Sequence, residues 1–186
     1  ICGNAFVVDR FKSMMDMGGI ENIIWLDNKD RPLFQKMDNG ALVYNSCGDS
    51  DRVTRDLLSL VHSHDIDVVM VHDPEFNKVD QFLKTTKTKA ILVSHYFAPN
   101  ELSRLHEFYD KIITFQEYQY NYYIEHNTVP KEKLYYMPQP MDTSIFHPYP
   151  NAMVKERSLL YVGRIIPAKG CDLILPYLKE LDASYT

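Results

Sequence analysis

Apolar residues recur along this chain in two alternating patterns, short unbroken runs and runs spaced three or four apart, which predict strands and helices in turn. Val7, Val8, Phe11, Met14 and Met15 share one face of a helix that Asn4 caps and Gly18-Gly19 stop. Residues 23–27 and 41–45 are strand runs, and the polar stretch 28–38 between them reads as a loop. Ser50 or Asp51 opens a helix lined by Val53, Leu57, Leu60, Val61 and His64. The β-branched run 66–71 has the composition of a parallel strand covered on both faces. Phe76, Val79, Phe82 and Leu83 mark the next helix, 90–93 a strand, Leu102, Leu105 and Phe108 a helix, and 111–115 a strand. A helix over 117–127 and a short strand over 134–137 complete the series. Connections this short leave room only for crossovers, so the predicted class is α/β with a doubly wound parallel sheet.

The alternation resumes near the end of the chain. Leu159, Leu160, Tyr161 and Val162 read as a buried strand ended by Gly163, and Arg164 and Lys169 follow on a loop. Cys171, Ile174, Leu175, Leu178 and Leu181 then recur at helical spacing. A strand that runs through a basic loop into a helix makes an anion site, because unpaired backbone donors and the positive helix end both favour phosphate. A solvated basic loop has the same spacing, and the pattern alone leaves both readings open.

Doubly wound sheets bind ligands outside the carboxyl ends of their strands, so the residues just after each run are the candidates. His72 and Asp73 follow one run, His95 the next, and Gln116 and Glu117 the one after. A histidine so placed holds hydroxyl groups by hydrogen bond in either tautomer, although a capping or surface histidine fits the same position. Glu117 is set either to meet a ligand hydroxyl or to complement a helix amino end. Gly3 reads as a turn before the first helix. Asp65-Ile66-Asp67 mimics a metal-holding pair of carboxylates but precedes its strand, at the wrong edge, and is rejected as a metal site. His62 and His64 stand two apart on a helix and face different ways. Tyr118, Tyr120, Tyr122 and Tyr123 fit a ligand-stacking groove less well than helix packing with hydroxyls at the surface. Asp142 and Phe146 read as structural, the first as a turn former and the second as an anchor.

Composition narrows the partners. A hydrophobic content of 45% is that of a globular chain, and a net charge of −5 with pI near 5.8 argues against nucleic acid held by a broad basic field. Cys2, Cys47 and Cys171 are odd in number and far apart, which indicates neither a disulfide framework nor a zinc site and fits a reducing compartment. No apolar run is long enough to span a bilayer, and no basic segment leading into an apolar one opens the chain.

The text from 129 to 170 carries more than its periodicity. Val129-Pro130 and Lys133 lead into a strand, then come Pro138 and Pro140, then Asp142, Phe146 and Pro148, then a strand ending in Gly163-Arg164 with Lys169-Gly170. This order closely resembles the interdomain crossing of glycosyltransferase family 4, with its V-P-x-x-K, P-x-P or P-N-G, D-x-x-x-F-x-P and G-R-x4-K-G elements. Gln139-Pro140-Met141 stands where Asn-Gly-Val is commoner.

The resemblance implies the two-domain GT-B architecture, with 1–150 as the Rossmann-like, acceptor-side domain and 151–186 as the start of the donor-binding domain. It implies that the first strand of the first domain and most of the second domain lie outside this chain, and that the chain is inactive alone. The implied reaction is retaining, metal-independent transfer of a sugar from a nucleotide-diphosphate sugar to an acceptor hydroxyl, with no cofactor. Gly163, Arg164 and Lys169 would then hold the departing diphosphate, Gly3 would sit near the donor phosphates or the acceptor, and His95 would be the catalytic candidate beside the transferred sugar. His72 and Glu117 are acceptor-side candidates. The expected partners are the nucleotide sugar and a glycan, lipid or small-molecule acceptor, in the cytoplasm or peripherally at a membrane surface. A vacant central strand slot adds the expectation that the run 159–162 docks on a sheet of this chain or of a second copy. The rival reading is a doubly wound binding domain without catalysis.

Overall fold

The computed structural model describes residues 15–20, 23–26, 34–36, 42–45, 50–72, 77–141, 143–144, 146–148, 158–177 and 184–185. The chain divides into two compact units, Ile1–Met141 and Asp142–Thr186.

In the first unit, β1 (Ile23–Leu26), β2 (Phe34–Lys36) and β3 (Leu42–Asn45) form a three-stranded sheet in the order β1-β3-β2. β1 runs parallel to β3 and β2 antiparallel to it. β2 corrects the loop expected over 28–38. Three residues are too few to show a period, and the pointer in the sequence is instead Asn39-Gly40, a hairpin dipeptide in the connection from β2 to β3.

The second sheet is open, all parallel and four-stranded, in the order β4-β5-β6-β7. The chain reaches it through α1 (Ser50–Ser63), then runs β4 (Val68–His72), α2 (Asn77–Thr85), β5 (Lys89–Ser94), α3 (Pro99–Leu105), β6 (Lys111–Thr114), α4 (Glu117–Glu125) and β7 (Leu134–Tyr136). Strand order equals chain order. Right-handed crossovers therefore place α2, α3 and α4 on one face, and the packing agrees. Val71, Ala90, Leu92, Ile112 and Leu134 from alternate strand positions meet Val53, Leu57, Val79, Phe82, Leu102, Leu105 and Tyr123 from the four helices in one core.

Register fixes which residues share the opposite face. Met70 pairs with Ile91, His72 with Val93, and Val93 with Ile113. Val93 and Phe115 are buried there, packed against Met70, Ile113, Met137 and Met15. Met15 comes from helical residues 15–17, which stop at Gly19 in the left-handed region (φ 72°), as the Gly18-Gly19 signal predicts. Among the described residues, the double winding expected of the sheet rests on this contact. β4 is, among the described residues, an edge strand of its sheet with Val68 exposed, while Val71 packs into the helical core and Met70 against the cluster on the opposite face. Asp65, at φ 50°, turns the chain between α1 and β4, so Ile66 and Asp67 precede the strand instead of opening it.

The second unit is sparser. β8 (Ser158–Leu159) pairs in parallel with β9 (Ser184–Tyr185), so the start of the run expected to dock on a sheet has a partner strand in this chain. The buried strand expected over 159–162 is corrected, because Leu160 and Val162 are 73% and 85% exposed. A two-stranded pair buries too little apolar surface to extend the run. The helix expected from 171 onward is the single turn α5 (Cys171–Ile174), followed by 3₁₀ residues Leu175–Tyr177. Pro176 explains the break, since it lacks an N–H and disfavours helical geometry at Leu175. Phe146, expected as an anchor, is half exposed.

The core assignment has a direct test. Leu92→Ala, at a fully buried position of β5, should lower unfolding free energy by about 2 to 5 kcal/mol. Val68→Ala on the exposed edge should change it by no more than about 0.5 kcal/mol, and urea titrations of both variants followed by circular dichroism measure the difference.

Candidate functional site

Parallel register aligns the carboxyl ends of β4, β5 and β6, where the candidate side chains lie. β4 ends on His72 itself, while β5 ends one residue before His95. The two rings meet across the strand ends, His72 Nδ1 lying 2.8 Å from His95 Nε2. Ring centroids are 5.1 Å apart with a 33° tilt, and the His95 ring also meets the edge of Phe115, which follows β6, at 5.1 Å. One residue from each of three neighbouring strand ends therefore builds the site.

A nitrogen-to-nitrogen contact of this length needs one proton between the rings, with one nitrogen as donor and the other bare. Two imidazolium rings would bring N–H against N–H, so the contact allows the pair at most one extra proton. Burial first, and the proximity of His95 second, push His72 from 6.5 down to about 4. His72 is thus neutral near pH 7. Which tautomer it holds is linked to that of His95: with both rings neutral, the donating nitrogen of one requires a bare nitrogen on the other, and exchanging those roles also moves the protons on the two outer nitrogens.

Buried hydroxyls set the loops behind this pair. Ser94 and Thr114 face each other in register at the ends of β5 and β6, both fully buried on the helical face. Ser94 Oγ donates to the Tyr96 carbonyl at 2.9 Å, which curls the chain just past His95. Thr114 Oγ1 donates to Gln119 Oε1 at 2.7 Å, tying the end of β6 to α4. Tyr123 of α4 reaches back across both: its hydroxyl accepts from the Ala98 N–H at 3.0 Å and also hydrogen-bonds Ser94. Each of these polar atoms is satisfied in a buried setting, where leaving one unpaired costs about 1 to 3 kcal/mol.

The remaining candidates lie elsewhere. Glu117 is the first residue of α4 and is exposed, two positions beyond Phe115. Asp65 and Asp67 are exposed at the amino end of β4, the edge opposite His72. Tyr123 is buried and Tyr120 and Tyr122 are half-buried against the core, whereas Tyr118 is exposed. Gly3 and Asp73 fall outside the described residues.

Gly163, Arg164 and Lys169 belong to the second unit. A side chain at Gly163 would come within 3.0 Å of the Tyr161 hydroxyl, and that hydroxyl donates to the Arg164 carbonyl at 3.0 Å. The loop closes through Ile166 N–H to Arg164 O and Lys169 N–H to Ile166 O, then turns at Gly170 in the left-handed region (φ 67°). The Arg164 and Lys169 side chains are exposed and make no ion pair among the described residues. The helix after them is one turn, so the macrodipole expected to reinforce an anion site is weak.

Sequence reading missed the His72–His95 contact as a contact and passed over Phe97 and Phe115 altogether as site residues. The signal was positional: each follows a strand by no more than three residues. Among the described residues no group of three or more histidines, cysteines or carboxylates is placed to hold a metal ion, and no helix is long and apolar enough to cross a membrane. Comparison of the chain with protein-family models and with curated proteins finds no match.

Because His72 is held below its unfolded value, the folded chain binds fewer protons than the unfolded one as pH falls. Its contribution to stability is complete above about pH 6.5 and is lost progressively down to about pH 4. Between about pH 7 and about pH 5 the protein should lose about 2 kcal/mol more stability than a His72→Gln variant. Urea unfolding across that range provides the comparison.

Proposed function

We propose that this chain is part of a retaining glycosyltransferase of the GT-B type, which moves a sugar from a nucleotide-diphosphate sugar to an acceptor hydroxyl. The observation that carries the reading is the hydrogen-bonded His72–His95 pair at the carboxyl edge of a parallel sheet, in a chain whose residues 129–170 have the order of the family 4 crossing. In this reading the first unit is the acceptor side and Asp142–Thr186 opens the donor side, and the work is done in the cytoplasm or at a membrane surface.

The bond between the anomeric carbon and the diphosphate oxygen breaks, and its electron pair leaves with the diphosphate. The guanidinium of Arg164 and the ammonium of Lys169 are suited to that growing charge. A bidentate arginine strengthens its hold as charge develops, and so lowers the barrier more than it tightens ground-state binding. These two cations take the role that a divalent ion fills in other transferases. The acceptor oxygen enters on the face that the diphosphate leaves, and its proton passes to the departing phosphate oxygen. His95, with its tautomer tied to His72, holds a sugar or acceptor hydroxyl by hydrogen bond.

Assay of the full-length protein with UDP-, GDP- and ADP-sugars, following release of the nucleoside diphosphate, tests the reading. Turnover of one donor class is expected, with kcat reduced about 100-fold or more by Arg164→Ala and about tenfold or more by His95→Ala. Turnover indifferent to both substitutions, or none with any donor, overturns it.

A further inference from the structure

Beyond the histidine pair, the loops after β5 and β6 are joined by a second aromatic rung. Phe97 stands two residues past His95 and Tyr118 three past Phe115, and their ring centroids lie 5.9 Å apart with a 41° tilt. The inner rung, His95 on Phe115, is largely sheltered. In the outer rung Phe97 is 40% exposed and Tyr118 59%.

The outer rung is built to stay in place. Phe97 stacks parallel on the buried Tyr123 ring, 4° off plane with centroids 5.7 Å apart, and receives Tyr122 edge-on at 4.8 Å. Tyr123 is in turn fixed by its bonds to Ala98 and Ser94. One face of Phe97 is thus occupied and what remains exposed is already ordered, as is favourable for binding because little rotamer freedom is then lost. The rim is polar. Gln116 and Glu117 precede Tyr118, Asn100 is the second residue of α3, three past Phe97, and all three are exposed. Two rings so rimmed are too small a patch for a stable protein interface, which needs about 1,000 Å² or more. They match one ring of another molecule that has an apolar face and hydroxyls at its edge.

We propose that Phe97 and Tyr118 form a stacking subsite for a pyranose ring of the acceptor, placed beside the His72–His95 pair. This rests on the transferase reading and names its acceptor class: a sugar or glycoside presenting a C–H face, with Gln116, Glu117 and Asn100 available to its hydroxyls.

Saturation-transfer NMR on the 186-residue chain with methyl glucopyranoside, methyl mannopyranoside and methyl N-acetylglucosaminide tests it. At least one glycoside should bind, with saturation concentrated on the protons of one ring face. Tyr118→Ala should raise its Kd about fivefold or more, and Tyr118→Phe should keep it within about twofold because the hydroxyl is not the stacking surface. Tyr177→Ala, in the other unit, should leave binding unchanged. Tyr118 is exposed, so its loss spares the core; Phe97→Ala serves as a second variant, with circular dichroism to verify folding. Absence of binding by all three glycosides, or binding that folded Tyr118→Ala retains in full, overturns the subsite. Glycoside binding lost on Tyr118→Ala, in a protein that turns over no nucleotide sugar, supports the subsite and overturns the transferase reading instead.

Discussion

One shared proton between two imidazoles joins the ends of two strands at the carboxyl edge of the parallel sheet. The contact exists because β4 and β5 are parallel and in a register that sets His72 opposite Val93, two residues before His95. Were the strands one residue out of step, His72 would turn to the helical face, as every side chain does on such a slip. The pair thus depends on the packing that fixes register, and above all on Val71, Ala90 and Leu92 against the helices. The geometry at this edge is a consequence of a core on the other side of the strands.

That dependence explains why the polar network behind the pair is so complete. Loops leaving strand ends are ordinarily the mobile part of an α/β domain. Here Ser94, Thr114, Gln119 and Tyr123 spend their hydrogen-bonding capacity on those loops, and the rings of His95, Phe97, Phe115 and Tyr118 join one loop to the next. Positioning of the histidines is therefore set by hydrogen bonds with definite partners and by ring contacts. A neutral His72 completes the arrangement, because a charged one would face both the cost of burial and the repulsion of His95.

Much of the first unit was legible in the sequence. Helices α1 to α4 and strands β4 to β7 all follow from apolar spacing, because each buries one face against the same core and so must repeat at its own period. β2 was hidden because a three-residue strand has no period to show. Facial cover of β4 is as its β-branched composition suggests, with Val71 in the helical core and Met70 against the cluster on the other face. Composition does not tell a central strand from an edge one, however, and β4 lies at the edge among the described residues. In the second unit the spacing of Cys171, Ile174 and Leu175 promised a longer helix, and Pro176, one residue, outweighed it. The candidate site was half legible. Position after a strand selected His72 and His95 separately, but contact between them depends on strand adjacency, which no local pattern states. For Arg164 and Lys169 the spacing leaves an anion site and a solvated loop both open, and the structure shows both side chains exposed on a loop held by backbone turns that many sequences would make.

The central claim is that His72 and His95 share a hydrogen bond at a strand end where burial first, and the proximity of His95 second, hold His72 neutral, and nitrogen-15 NMR of the two imidazoles across a pH titration tests it most directly. The account predicts that His72 remains a neutral, single tautomer well below its ordinary range, with a midpoint of about 4, and that His95→Ala shifts its ring nitrogens. A His72 that titrates near 6.5 and does not respond to loss of His95 contradicts it.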